Sequence, residues 1–200
     1  MSPFFGTMTW YYQKHRRKAI LARDPLEELA AFIREKNIVD GRIAATANRP
    51  TSLWHVGEYI ASQIFDIELH QNARKKGSDG HFLSGPLQQR TVNVKWYPKQ
   101  EGILAINLKH LPDYFLVLTG PLAPAGSSRG KTRPWVIEHV YLFETPPLIE
   151  ELLAHEIQMS KEATSMRAEL WVQAEIYPLQ ANTALLLSEV ASGFFVAACR

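Results

Sequence analysis

Cysteine is almost missing from these 200 residues; the only one is Cys199. A lone thiol cannot pair within the chain, which excludes a disulfide framework and points to a reducing, cytoplasmic setting. Long apolar runs are missing too. A membrane-spanning helix needs about 18 uncharged apolar residues, and the best stretch, Ala181 to Cys199, is broken by Ser188, Glu189 and Gly193. The N-terminus lacks the basic-then-apolar order of a signal peptide. Internal repeats and low-complexity tracts are also absent. What is present is ordinary globular usage, 46% hydrophobic and 21% charged, in a chain long enough to bury one core without staples.

Acidic residues are scarce in one region. Residues 71–135 hold ten basic residues against Asp79, Glu101 and Asp113, a balance of +7. Residues 136–200 hold three basic and nine acidic, a balance of −6. The net charge of +2 conceals this division. A basic middle suits an anionic partner, with a polyphosphate chain the usual one. The ordinary alternative is internal, with the acidic last third covering the basic middle.

Local patterns give the order of elements. Asp24-Pro25-Leu26-Glu27 starts a helix, with a capping acid and proline at the first turn. Asn37 and Asp40-Gly41 are expected to end it. Thr51 or Ser52 caps a second helix over Leu53 to Phe65, where Leu53, Val56, Ile60, Ala61 and Ile64 recur at helical spacing. Glu58 falls just outside that apolar arc. Arg90 to Tyr97 alternates as a strand, with Val92, Val94 and Trp96 on one face and Thr91, Asn93 and Lys95 on the other. Tyr114 to Leu118 is a continuous apolar run, which suits a strand buried on both faces. A breaker-rich loop follows from Pro121 to Pro134. A strand is predicted over Trp135 to Phe143, and helices over Pro147 to Glu156 and Ser165 to Tyr177. The fold class is therefore α/β, a mixed central sheet flanked by helices.

Chemistry can gather around Glu58, Asp79, Asn93 and Lys95. Asn93 and Lys95 share a polar face of a strand whose other face is apolar. Asp79 stands beside Gly80 at a predicted strand end. Oxygen donors of this kind suit a hard divalent cation, and a neighbouring lysine can orient a water and offset charge developing on a phosphate. The ordinary structural readings are a solvated Glu58, an Asx turn at Asp79 and a wet edge strand carrying Lys95. His81 shares the expected face of Asp79, as a proton carrier or a plain strand residue. The loop Ser127 to Arg133 combines small residues with Arg129, Lys131 and Arg133, which suits phosphate contacts or simple solvation. Trp96, Tyr97 and Trp135 lie among cations and can stack bases, although packing is the favoured role for Trp96.

These pieces are Gly57-Glu58-Tyr59-Ile60-Ala61, Ser78-Asp79-Gly80-His81-Phe82 and Val92-Asn93-Val94-Lys95. Their order resembles the PD-(D/E)XK nuclease superfamily, which includes many restriction endonucleases and Holliday-junction resolvases. The resemblance covers residues 53–118. It implies a restriction-endonuclease-like core of helix, three strands, helix and strand, with Tyr114 to Leu118 as the last strand. It implies Asp79 as principal metal ligand, Lys95 as catalytic lysine and Glu58 as helix acid. Asn93 stands where a carboxylate is expected, and its amide oxygen is the remaining ligand. The implied cofactor is Mg²⁺ or Mn²⁺.

The expected organisation is an N-terminal helical arm over 1–50, a nuclease-like core over 51–145 and a helical C-terminal extension over 146–200, together expected to form one compact domain. The expected activity is metal-dependent hydrolysis of DNA, with Lys75, Lys76, Lys99, Arg129, Lys131 and Arg133 holding phosphates. No membrane partner is expected, and a homodimer is an allowed assembly. A non-catalytic nucleic-acid-binding relative and a protein-interaction module are the alternatives.

Overall fold

The structure is a computed structural model, and it describes residues 25–71, 77–122, 133–187 and 193–195. The chain forms two compact units, Met1–Thr51 and Ser52–Arg200. In the first, helix α1 spans Pro25–Ala47. It runs past the expected stop at Asp40-Gly41. Lys36 pairs with Asp40 one turn on, nothing crowds Gly41, and the following residues include three alanines, which favour helix. The helix ends where Asn48 turns left-handed, at φ 50°, ahead of Pro50.

The second unit opens with α2, Leu53–Phe65, at the predicted bounds. Strands β1 (Ile67–Leu69), β2 (Gly80–Phe82), β3 (Thr91–Tyr97), β4 (Ile103–Leu104) and β5 (Tyr114–Thr119) follow. Next come β6 (His139–Glu144), α3 (Thr145–Ala154), β7 (Thr164–Ser165), α4 (Ala168–Ala174) and β8 (Glu175–Tyr177). Six strands make one sheet in the order β1-β2-β3-β5-β6-β8. Only β3 and β5 run parallel; every other neighbouring pair is antiparallel. β4 and β7 form a separate two-stranded pair.

The alternation of β3 is realised as read. Val92, Val94 and Trp96 are buried with Ala61 and Phe65 of α2, together with Phe82, Leu116, Leu118 and Val140. The opposite face carries Phe115, Val117, Tyr141 and Phe143, covered by Leu148 and Leu152 of α3 and Trp171 of α4. All six residues of β5 are buried, which explains its unbroken apolar run. Each fully buried Leu, Val or Phe contributes roughly 1.5–3 kcal/mol. Gly57 lets α2 lie close on the sheet, since a Cβ there would sit 3.1 Å from Cβ of Trp96.

Asp113 pins the starts of the parallel pair together. Its Oδ2 accepts from both the amide and the hydroxyl of Thr91, each at 2.7 Å, and Arg90 lies 3.3 Å from Oδ1. Burial works against this carboxylate, but the Thr91 hydrogen bonds and the Arg90 charge outweigh it and hold its pKa below the ordinary value.

Three expectations need correction. The helix that the nuclease resemblance places between the third and fourth core strands is not there. Residues 98–113 cross from β3 to β5 through β4 and turns instead. The strand predicted from Trp135 begins only at His139, because residues 135–138 do not enter the regular ladder. The helix predicted over Ser165 to Tyr177 is confined to Ala168–Ala174. Glu175–Tyr177 turns into β8, where the free edge of β6 offers hydrogen bonds that outweigh helical periodicity. Because β8 pairs with β6, the expected core and C-terminal extension share one sheet.

Candidate active site

The site is built where β2 stops early. β2 pairs with β3 only at Gly80↔Val92 and His81↔Thr91. Among the described residues, no strand continues on that side of β3 beyond Val92. Asp79 takes over the role of the missing strand, since its amide donates to the Val92 carbonyl at 2.8 Å. Its carboxylate Oδ2 then accepts the Val94 amide at 2.7 Å. Extending the register by one residue sets Asp79 beside Asn93. The carbonyl of Asp79 is held in turn by the His70 amide at 2.8 Å, and His70 Nε2 sits 3.1 Å from Ser78 Oγ. His70 and Ser78 anchor the turn that presents the acid; Ser78 lies in the quoted motif, whereas nothing in the sequence marked His70.

Lys95 stands two residues after Asn93, on the same face, half-buried. Burial pushes its ammonium below the usual lysine range, while the charges of Asp79 and Glu58 pull it part of the way back. Both carboxylates therefore lie within electrostatic reach of one desolvated lysine. Glu58 comes from α2, which packs on the other face of β3. Asn93 Oδ1 is buried without a hydrogen-bond partner among the described residues. A buried acceptor with no donor is costly, and a cation or a water would satisfy it.

The structure thus brings Asp79, Asn93 and Lys95 to the open edge of β3, with the Glu58 charge within electrostatic reach of Lys95. The phosphate-binding candidates are less uniform. Lys99 is largely buried and paired with Glu101, so it does not present a free charge to a backbone phosphate. Arg133 is exposed. Lys75, Lys76, Arg129 and Lys131 lie outside the described residues, as does most of the loop that carries the last two. Trp96 is packing, as favoured, with its indole N–H donating to the Val136 carbonyl at 3.3 Å and its ring 5.8 Å from that of Trp135. Trp135 is exposed, whereas the Tyr97 hydroxyl accepts the Ala105 amide at 3.0 Å and is turned inward. His81 Nε2 lies 3.2 Å from a Glu68 carboxylate, an engagement within the β1–β2 pair.

Across the charge division, Arg90 lies between Asp113 and Glu144. Among the described residues no helix is long and apolar enough to cross a membrane. No group of three His, Cys, Asp or Glu side chains converges on a common point among them either, so a cation here would depend on the Asn93 amide. No protein-family model matches the sequence, and no curated protein matches it significantly.

Proposed function

We propose that this chain is a metal-dependent nuclease with a restriction-endonuclease-like core, hydrolysing DNA phosphodiester bonds at the open edge of β3. One observation carries the reading: a half-buried lysine shares its surroundings with two carboxylates from separate elements, beside an amide oxygen buried without a partner. The helix-free crossover between β3 and β5 departs from the core that the resemblance implies.

The donor set fits a hard divalent cation. Asp79, Glu58 and Asn93 offer oxygen, and none offers the sulfur or imidazole that softer metals favour. When bound, Mg²⁺ or Mn²⁺ would supply a water acidic enough to attack near neutral pH. Lys95 has the position and the lowered proton affinity to hold that water and steady charge developing on the phosphate. Val94 fixes the Asp79 carboxylate, which limits the reorganisation needed during reaction. Among the six cations expected to hold phosphates, Arg133 is the one described as exposed, and it is available to a phosphate chain.

Asp79→Ala and Lys95→Ala should each abolish Mg²⁺-dependent cleavage of plasmid and oligonucleotide DNA with the circular dichroism spectrum retained. Full cleavage by either variant refutes the reading. Asn93 favours a second reading, a DNA-binding relative without catalysis, because an amide brings no charge to the cation. Salt-sensitive DNA retention without cleavage in any divalent metal supports that second reading. Cleavage gained by Asn93→Asp would then locate the lost function at this one residue.

A further inference from the structure

A histidine held by a buried carboxylate stands in the wall of a separate cavity. The register Lys95↔Val117, Val117↔Tyr141 and Tyr141↔Glu175 puts three strand steps, roughly 14 Å, between Lys95 and that carboxylate, Glu175. The cavity measures about 660 Å³. That is within the ~300–1,000 Å³ range of ordinary small-molecule sites. Its lining is mostly apolar, with Tyr141, Met166, Trp171 and Val172, and His139 and Glu175 meet at one side.

Glu175 is 6% exposed, and a carboxylate so placed needs a donor. His139 supplies it, with Nδ1 2.7 Å from Oε1. A carboxylate can only accept, so the ring proton of this contact sits on Nδ1. The second ring nitrogen, Nε2, has no hydrogen-bond partner among the described residues. Nor is it among the sealed polar atoms left without one, so it is open to solvent. The His139 side chain keeps 26% of its surface exposed. Tyr141 stacks along the ring, 11° from parallel with centroids 5.9 Å apart, and Glu175 takes the Nδ1 corner. The Nε2 edge is the open polar side of this ring.

We propose that this cavity binds a small phenol, seated by a hydrogen bond from its hydroxyl to Nε2 of His139. In the neutral ring Nδ1 keeps the proton for Glu175, and Nε2 accepts. One open acceptor in an apolar lining selects an apolar body that carries a hydroxyl donor. An ether or a carboxylate of the same shape brings no donor to it. The rings of Tyr141 and Trp171 stand edge to face at 4.8 Å, and Tyr141 carries the His139 ring, so the lining is rich in aromatic contacts. Such a lining suits an aromatic body. A phenol joins that body to a hydroxyl more acidic than an aliphatic one, and so a stronger donor. The proposal does not depend on the nuclease reading, because the cavity and the open edge of β3 use different residues.

The test is calorimetric titration of the full chain at about pH 8, where a free imidazole is neutral and a phenol keeps its proton. The probes are 4-ethylphenol, its methyl ether 4-ethylanisole, ethylbenzene and 4-ethylbenzoate. The phenol should saturate below about 1 mM. The other three should each bind at least about tenfold more weakly, because they leave the ring acceptor unmet. Ala168→Trp fills the cavity from an exposed position at the start of α4 and should weaken the phenol at least about tenfold with an unchanged melting temperature. His139→Phe combined with Glu175→Gln removes the acceptor without stranding a buried charge, and should bring the phenol down to the level of ethylbenzene. No saturation by 4-ethylphenol overturns the proposal. So does an ether, hydrocarbon or carboxylate that binds as tightly, undiminished phenol binding by Ala168→Trp, or a preference for the phenol that survives in a folded double variant.

Discussion

Gly80→Ala tests how the site is held. A Cβ at residue 80 would lie 2.3 Å from the Glu68 carbonyl oxygen and 2.8 Å from Cγ2 of Ile67. A carbon and a carbonyl oxygen approach to about 3.3 Å at the closest, so β1 and β2 must part by about 1 Å. The atom in the way is backbone and cannot rotate aside. Overpacking of this kind costs about 1–3 kcal/mol, and the three registered pairs Ile67↔Phe82, Glu68↔His81 and Leu69↔Gly80 place it at the upper end. In a unit of this size, that lowers the melting temperature by roughly 4–12 °C. The displacement also reaches Asp79, the preceding residue, whose carboxylate meets the Val94 amide at 2.7 Å. Cleavage should therefore fall further than stability does. Gly85→Ala is the comparison, because its φ is 74° but nothing lies within 4 Å of the added carbon. It carries only the left-handed backbone cost, about 1–2 kcal/mol, and leaves Asp79 in place. Scanning calorimetry and a cleavage assay on both variants decide the matter. If Gly80→Ala melts no lower than Gly85→Ala, the close approach of β1 to β2 is not what demands glycine there.

Other outcomes follow from the packing and the charges. Leu116→Ala empties a fully buried position in the central strand and should cost about 2–5 kcal/mol by denaturant unfolding. The depressed pKa of Asp113 means that its contribution is complete above the ordinary carboxylate value and is lost as pH falls through the lower folded value. Urea unfolding from about pH 5 to pH 2 should therefore show a shallower decline for Asp113→Asn than for the parent chain. The Tyr141 phenol is pushed up to about 12 by burial and by the Glu175 charge. The unfolded chain releases that proton near pH 10, so stability should fall between about pH 10 and pH 12, less so in Tyr141→Phe.

Where sequence and structure agree, local physics was decisive. α2 has helical apolar spacing from Leu53 to Ile64 and a serine before its first turn, and it forms at those bounds. β3 has strict alternation, and β5 has none because both its faces are covered. Asn93 and Lys95 were placed on one face by alternation alone. Where the two differ, a distant partner decided. Residues 175–177 carry helical periodicity but take the open edge of β6. Asp40-Gly41 looks like a stop, yet a Lys36 ion pair and the alanines beyond carry α1 onward. The meeting of His139 with Glu175, 36 residues apart, leaves no local trace. Neither does the early end of β2, although that end is what leaves the edge that Asp79 takes over beside Val94.

The outermost strands of the sheet have a consequence for self-association. β1 and β8 are three residues each, Glu68 puts an exposed carboxylate in the middle of the first, and Pro178 follows the second. Two such stubs offer another copy little backbone along which to extend the ladder, and charge and proline discourage what remains. Pairing of two copies at these two ends of the sheet therefore falls to side-chain surfaces rather than to an extended ladder.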